Sequence, residues 1–148
     1  MAASINSKSP VVLVTGCSLG GIGYALVLWY ASSSCYFAWR IINLNIKGPV
    51  LDISIEDAKA AMDTNVLGVL RLAQAVFPHM ASRKQGTFMT VASVSSYTLD
   101  FRIQVVPWSG LYCASKAAAS SLTEALQMEA RALSPDIHVI QIVAGGVK

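Results

Sequence analysis

Residues 11–15, VVLVT, run straight into GCSLGGIG at 16–23. An apolar, β-branched run that ends in a cluster of glycines reads as a buried strand, Val11 to Thr15, followed by a tight turn. After Gly21, the residues Ala25, Leu26 and Leu28 suit a helix that reaches about Tyr30. A strand, a glycine-rich turn and a helix in that order restrict the chain to folds in which helices connect parallel strands.

The composition agrees. Apolar residues make up 54% of the 148 and charged residues only 13%, against about 25% charged in an average soluble domain. Such a chain should consist mostly of buried layers, as in a parallel sheet covered on both faces. Its length suits one domain over 1–148. The net charge of +3, with no basic cluster beyond Arg83-Lys84, gives no nucleic-acid footprint. Three cysteines (Cys17, Cys35, Cys113) without metal-type spacing fit a reduced compartment. From Ser9 to Trp39 there is no charge, but three consecutive serines and a glycine-rich start weigh against a spanning helix of about 20 apolar residues. A surface-seeking or simply buried segment is the better expectation. Met1 to Pro10 lacks the apolar core of a signal peptide.

Further along, RIINLNI (Arg40 to Ile46) suits a second strand before the Gly48-Pro49 turn, while ASSSCYFAWR is ambiguous. Ser54 followed by Asp57 is a capping-box pattern that starts a helix. Val66, Val69, Leu70, Ala73 and Phe77 then recur on one helical face. Gly68 and Pro78 predict a break or kink and an end near His79. Gly86 to Ala92 reads as a strand that runs into a serine-rich loop. A helix from about Tyr112 to Leu133 and a last strand, Ile137 to Val143, complete the pattern. Strands alternating with helices predict an α/β, doubly wound parallel sheet of Rossmann-like type, here with about four strands.

Several residues in this frame carry chemistry. A helix N-terminus offers unpaired N–H groups and a positive dipole end to an anion, and glycines let a pyrophosphate approach closely. Gly16 and Gly20 fit one glycine spacing, but reading Gly21-Ile22-Gly23 as the closing turn keeps the strand-to-helix geometry intact. Tyr112 and Lys116 lie at i and i+4, on one face and one turn apart. An ammonium beside a phenol favours the phenolate, which brings a poor base toward the working range of a proton-transfer group. Ser93 follows a strand whose carboxyl end is where open α/β sheets bind ligands. Asn65 sits mid-helix, where an amide needs a reason to be. His79, His138 and the three tryptophans are expected to be structural.

Together TGCSLGGIG, NVLGV around Asn65, TVASVSS, YCASKAA and IVAGGVK resemble the short-chain dehydrogenase/reductase family. The resemblance implies a nicotinamide cofactor, NADP or NAD, and hydride transfer to or from a small-molecule carbonyl. It implies that Ser93 holds the substrate oxygen, Tyr112 exchanges its proton, Lys116 tunes the tyrosine and binds the nicotinamide ribose, and Asn65 supports a proton relay. Gly16, Ser18, Gly21, Ile22 and Gly23 would line the pyrophosphate and Val147 would lie near the nicotinamide. Within the family, VPWSGLYCASKAA and the GGIG ending look similar to fungal acylglycerone-phosphate reductases. Those are NADPH-dependent, lipid-linked enzymes of the endoplasmic reticulum and lipid droplets, so membrane-surface association and an oligomeric state are expected in turn.

The pattern also departs from the family. About 20 residues separate the first helix from GPVLDIS, whereas one βαβ unit takes about 30 or more. No NNAG segment and no residue that reads the adenosine ribose can be assigned, which leaves NAD against NADP open. The chain ends at Lys148 without the family's further elements. The expectation is an internally shortened, truncated domain that binds cofactor weakly, with a catalytically inactive remnant as the alternative to a carbonyl reductase.

Overall fold

The computed structural model describes residues 12–15, 36–39, 44–97 and 107–145 and divides the chain into two compact units, Met1–Asn43 and Leu44–Lys148. The first unit contains β1 (Val12–Thr15) and β2 (Tyr36–Trp39), which pair in parallel with Val12 opposite Tyr36 and Thr15 opposite Trp39. The first strand forms where the apolar run predicts it. The second forms on the aromatic YFAW, whereas of the strand expected over Arg40–Ile46 only Leu44–Ile46 are among the described residues, and these are not in a strand. Aromatic residues suit a pleated surface. At Leu44 both the backbone N–H and the carbonyl are engaged by one side-chain amide, that of Asn65, at 3.0 and 2.9 Å. That backbone is held by a side chain in place of a strand ladder. The glycine loop, the helix expected after Gly21 and most of the uncharged run lie outside the described residues.

The second unit starts with a 3-10 turn, Val50–Asp52, and continues into α1 (Ile55–Met62), a π-helical turn (Asp63–Leu67) and α2 (Gly68–Arg83). Ser54 caps α1 as its spacing predicts, its hydroxyl accepting the Asp57 N–H at 3.0 Å. The predicted break falls just before Gly68, whose N–H reaches back five residues to the Asp63 carbonyl. Pro78 lies inside α2 without ending it. Its missing N–H would have served Gln74, and both residues are on the exposed side, where water can take the carbonyl. The helix instead ends at Arg83, with Lys84 in the left-handed region at φ 52°.

β3 (Gly86–Ser93) and β4 (Ile137–Ala144) pair in parallel, Gly86 opposite Ile137 and Ser93 opposite Ala144. The 3-10 turn Val94–Tyr97 and the long helix α3 (Gly110–Leu133) make the crossover between them. The core sits between the helices and one face of these strands. It consists of Ala73, Met80, Phe88, Ala130, Ile137 and Val139, with Phe77 meeting Phe88 edge-on at 5.5 Å. Gly86 permits the tight join between α2 and β3, because a Cβ there would lie 2.6 Å from the Met80 side chain.

From Lys116 to Gln127 the face of α3 toward the sheet is polar. Gln141 donates to Ser120 at 2.6 Å, Thr90 bonds Thr123 at 3.3 Å, and Gln127 donates to the Val139 carbonyl at 3.0 Å. Buried side-chain polar atoms need such partners, and among the described residues none is left without one.

Candidate active site

Ser93 ends β3, as the sequence predicts. Its N–H donates to the Ser96 hydroxyl at 3.4 Å, and its Oγ accepts from the Ser95 N–H at 3.2 Å. Strand end and serine turn therefore fix this hydroxyl at the carboxyl edge of the parallel pair.

Tyr112 and Lys116 occupy the first turns of α3, which starts after Ser109 with the Cys113 N–H donating to the Ser109 carbonyl at 2.9 Å. Lys116 Nζ lies 5.9 Å from the centroid of the Tyr112 ring and donates to the Val91 carbonyl at 3.1 Å. Val91 is two residues before Ser93 on the same strand. The ammonium thus reaches both the tyrosine ring and the backbone of β3, as two side chains on one helical face can. Half-buried as it is, Lys116 has its pKa lowered from the ordinary lysine value by desolvation. The carbonyl it touches and the ring beside it partly compensate for the water it has lost.

Asn65 lies in the π-helical turn, where it and Val66 are both buried. Its Oδ1 accepts the Leu44 N–H, and its Nδ2 donates both to the Leu44 carbonyl and, at 3.0 Å, to Ser115 Oγ. The orientation of the amide is dictated, since only its oxygen can serve an N–H and only its nitrogen a carbonyl. Ser115 is fully buried and passes its own proton to the Tyr112 carbonyl at 2.8 Å. An unbroken chain of hydrogen bonds therefore runs from the Leu44 backbone through Asn65 and Ser115 to the backbone of Tyr112.

The π-helical turn is itself clamped. Arg71 forks onto the Asp63 carboxylate, with Nη1 3.2 Å from Oδ2, and Asp63 is held below the ordinary carboxylate pKa by that hydrogen bond and by the guanidinium charge. Both side chains are exposed.

Ser93, Asn65, Tyr112 and Lys116, the site residues expected from sequence, all lie in the second unit. Gly16, Ser18, Gly21, Ile22, Gly23 and Val147 lie outside the described residues. Reasoning from sequence missed Ser115 and Leu44. Ser115 left a trace, since a helical serine readily bonds the carbonyl three residues back, whereas the backbone of Leu44 left none.

The short chain dehydrogenase family matches over residues 41–148. A short-chain dehydrogenase of Talaromyces islandicus is 35% identical over 100 residues, 68% of this chain and 32% of that protein. The NADPH-dependent 1-acyldihydroxyacetone phosphate reductase of Schizosaccharomyces pombe is 28% identical over an alignment of 188 positions, which takes in 93% of this chain and 60% of that protein. That alignment is longer than the chain, so positions of the relative have no counterpart here. The chain spans between about a third and three fifths of the length of these curated relatives. Among solved structures, a short chain dehydrogenase from Burkholderia cenocepacia in complex with NADP matches with a TM-score of 0.77 at 22% identity, covering 95% of this chain and 73% of that one. A second, from Burkholderia phymatum in complex with NAD, gives 0.74 at 17%, covering 94% and 66%. These likenesses establish the Rossmann-like α/β fold, here incomplete.

Proposed function

Because the chain belongs to the short chain dehydrogenase family, we propose that it reduces a small-molecule carbonyl with a nicotinamide cofactor, NADPH by preference, and that the carbonyl is a lipid-like ketone of the acyl-dihydroxyacetone phosphate kind. The observation that carries the reading is Lys116, near the Tyr112 ring and bonded to the Val91 carbonyl of the strand that ends at Ser93. The NADPH preference and the choice of ketone draw support from the named activity of the Schizosaccharomyces pombe relative.

The donor set fits the ribose end of such a cofactor. An ammonium has three donors, and Lys116 spends one on Val91, leaving two for a pair of vicinal hydroxyls. The chemistry the cofactor supplies when bound is hydride transfer to the carbonyl carbon. The rest falls to the side chains. Ser93 would donate its hydroxyl proton to the substrate oxygen and hold it against Tyr112. Tyr112 would deliver the proton that turns the developing alkoxide into an alcohol, and the charge on Lys116 would favour the phenolate left behind. Asn65 would keep the helix carrying Tyr112 in register and support the return of a proton. Gly16, Ser18, Gly21, Ile22, Gly23 and Val147 are assigned to the pyrophosphate and nicotinamide ends on the resemblance alone.

The test is NADPH oxidation by the purified chain with an acyl-dihydroxyacetone phosphate, beside its Tyr112→Phe variant. Saturable turnover that falls by roughly 10² to 10⁴ in the variant, the worth of general acid–base help, is the expected result. Binding without turnover in both would favour a remnant that has kept the site and lost the reaction.

A further inference from the structure

The bond between Asn65 and Ser115 does more than satisfy two buried groups. Within α3 the Tyr112 carbonyl faces the amide of Lys116, four residues on, as in any α-helix. The Ser115 hydroxyl reaches the same carbonyl at 2.8 Å. That carbonyl belongs to the turn separating Tyr112 from Lys116, so whatever holds it sets how the two side chains stand to each other. Ser115 Oγ can give one proton only. Because Asn65 Nδ2 donates to it, its proton must go elsewhere, and the Tyr112 carbonyl takes it. The direction of the whole chain is thereby fixed from Leu44 onward, since the Leu44 backbone dictates which end of the Asn65 amide faces Ser115.

We propose that Ser115 is a positioning residue: its hydroxyl ties the tyrosine–lysine turn of α3 to the π-helical turn and holds the Tyr112 ring at the height at which Lys116 reaches it. The serine is fully buried. It acts through the Tyr112 carbonyl, and its catalytic consequence rests on the reductase reading above. Two features distinguish this bond from the other polar contacts along α3. Ser115 has no exposed surface at all. It joins the Asn65 amide of the π-helical turn to the Tyr112 carbonyl, whereas Ser120, Thr123 and Gln127 link α3 to the strands, Thr123 also donating to the Ala119 carbonyl of its own helix.

The experiment uses the full chain with isotope-labelled tyrosine, the Tyr112 resonance being assigned by its loss in Tyr112→Phe. Ser115→Ala removes the hydroxyl. Ser115→Cys keeps the volume with a much weaker donor and serves if the alanine variant fails to fold. Ser115→Thr restores the hydroxyl. Alanine and cysteine should displace or broaden the Tyr112 resonance, and threonine should keep it in place. Where turnover is measured, kcat should fall about tenfold in the alanine variant, the scale of one hydrogen bond, with the KM for NADPH within about twofold. A resonance unmoved in both the alanine and cysteine variants, with only the thermal midpoint lowered, overturns the proposal. So does a threonine variant that shifts as far as the alanine one. Absence of turnover in the unmodified chain would instead sink the reductase reading, and the resonance would still decide the role of Ser115.

Discussion

Lys116 is where burial and charge oppose each other. Folding lowers its pKa below the unfolded value because the ammonium loses water. Between those two values the unfolded chain binds more protons, so stability rises with pH there. The chain should therefore resist denaturant better as pH climbs through the lowered value toward the ordinary lysine value near 10.4, and Lys116→Met should lose that part of the rise. Equal slopes in both proteins would contradict this. Asp63 works in the opposite sense. Its pKa is depressed by Arg71, so its contribution is present above the ordinary carboxylate value and is lost as pH falls through the depressed one. In acid titrations followed by circular dichroism, Arg71→Met should remove that loss and its salt dependence. The effect should be small, because both groups are exposed. At this scale the sequence was most legible where chemistry imposes a spacing, as for Tyr112 and Lys116. It was least legible at Ser115, whose importance comes from a partner 50 residues away.

The elements of the second unit formed where periodicity and capping predict them, and the deviations have local causes. α2 passes Pro78 because water can serve the carbonyl that lost its donor. The predicted break became a π-helical turn, which gives Asn65 and Val66 the same buried side. A strand formed at Tyr36–Trp39, and Leu44–Ile46, the described end of the strand expected at Arg40–Ile46, carry none, because pattern alone could not show that an amide 21 residues on would claim the Leu44 backbone. Two substitutions test the packing between elements. Phe88→Ala, at a core position meeting Phe77, should cost about 3–5 kcal/mol by denaturant titration. Gly86→Ala puts a Cβ 2.6 Å from Met80 and should cost about 1–3 kcal/mol. A glycine variant as stable as the parent would show that α2 and β3 can move apart at no cost.

On the face of β3 and β4 turned away from Phe88, the side chains of Met89, Val91, Ile140 and Ile142 remain between 38% and 46% exposed. Apolar surface of that kind promotes association. Light scattering should show it rising with concentration, and Ile140→Lys with Ile142→Lys should reduce it without touching Tyr112 or Lys116. The family and the α/β class were readable in the sequence, because motifs spread along the chain survive the loss of intervening residues. The cofactor preference was not readable, since the segment that would report it has no counterpart to read. The account stands or falls on whether Lys116 holds a nicotinamide cofactor, and calorimetric titration of NADPH into the chain and into Lys116→Met asks this most directly. Saturable binding by the chain, weakened about tenfold or more in the variant, or at least 1.4 kcal/mol, is what the account predicts. No saturable binding by the chain, or equal binding by both proteins, would contradict it.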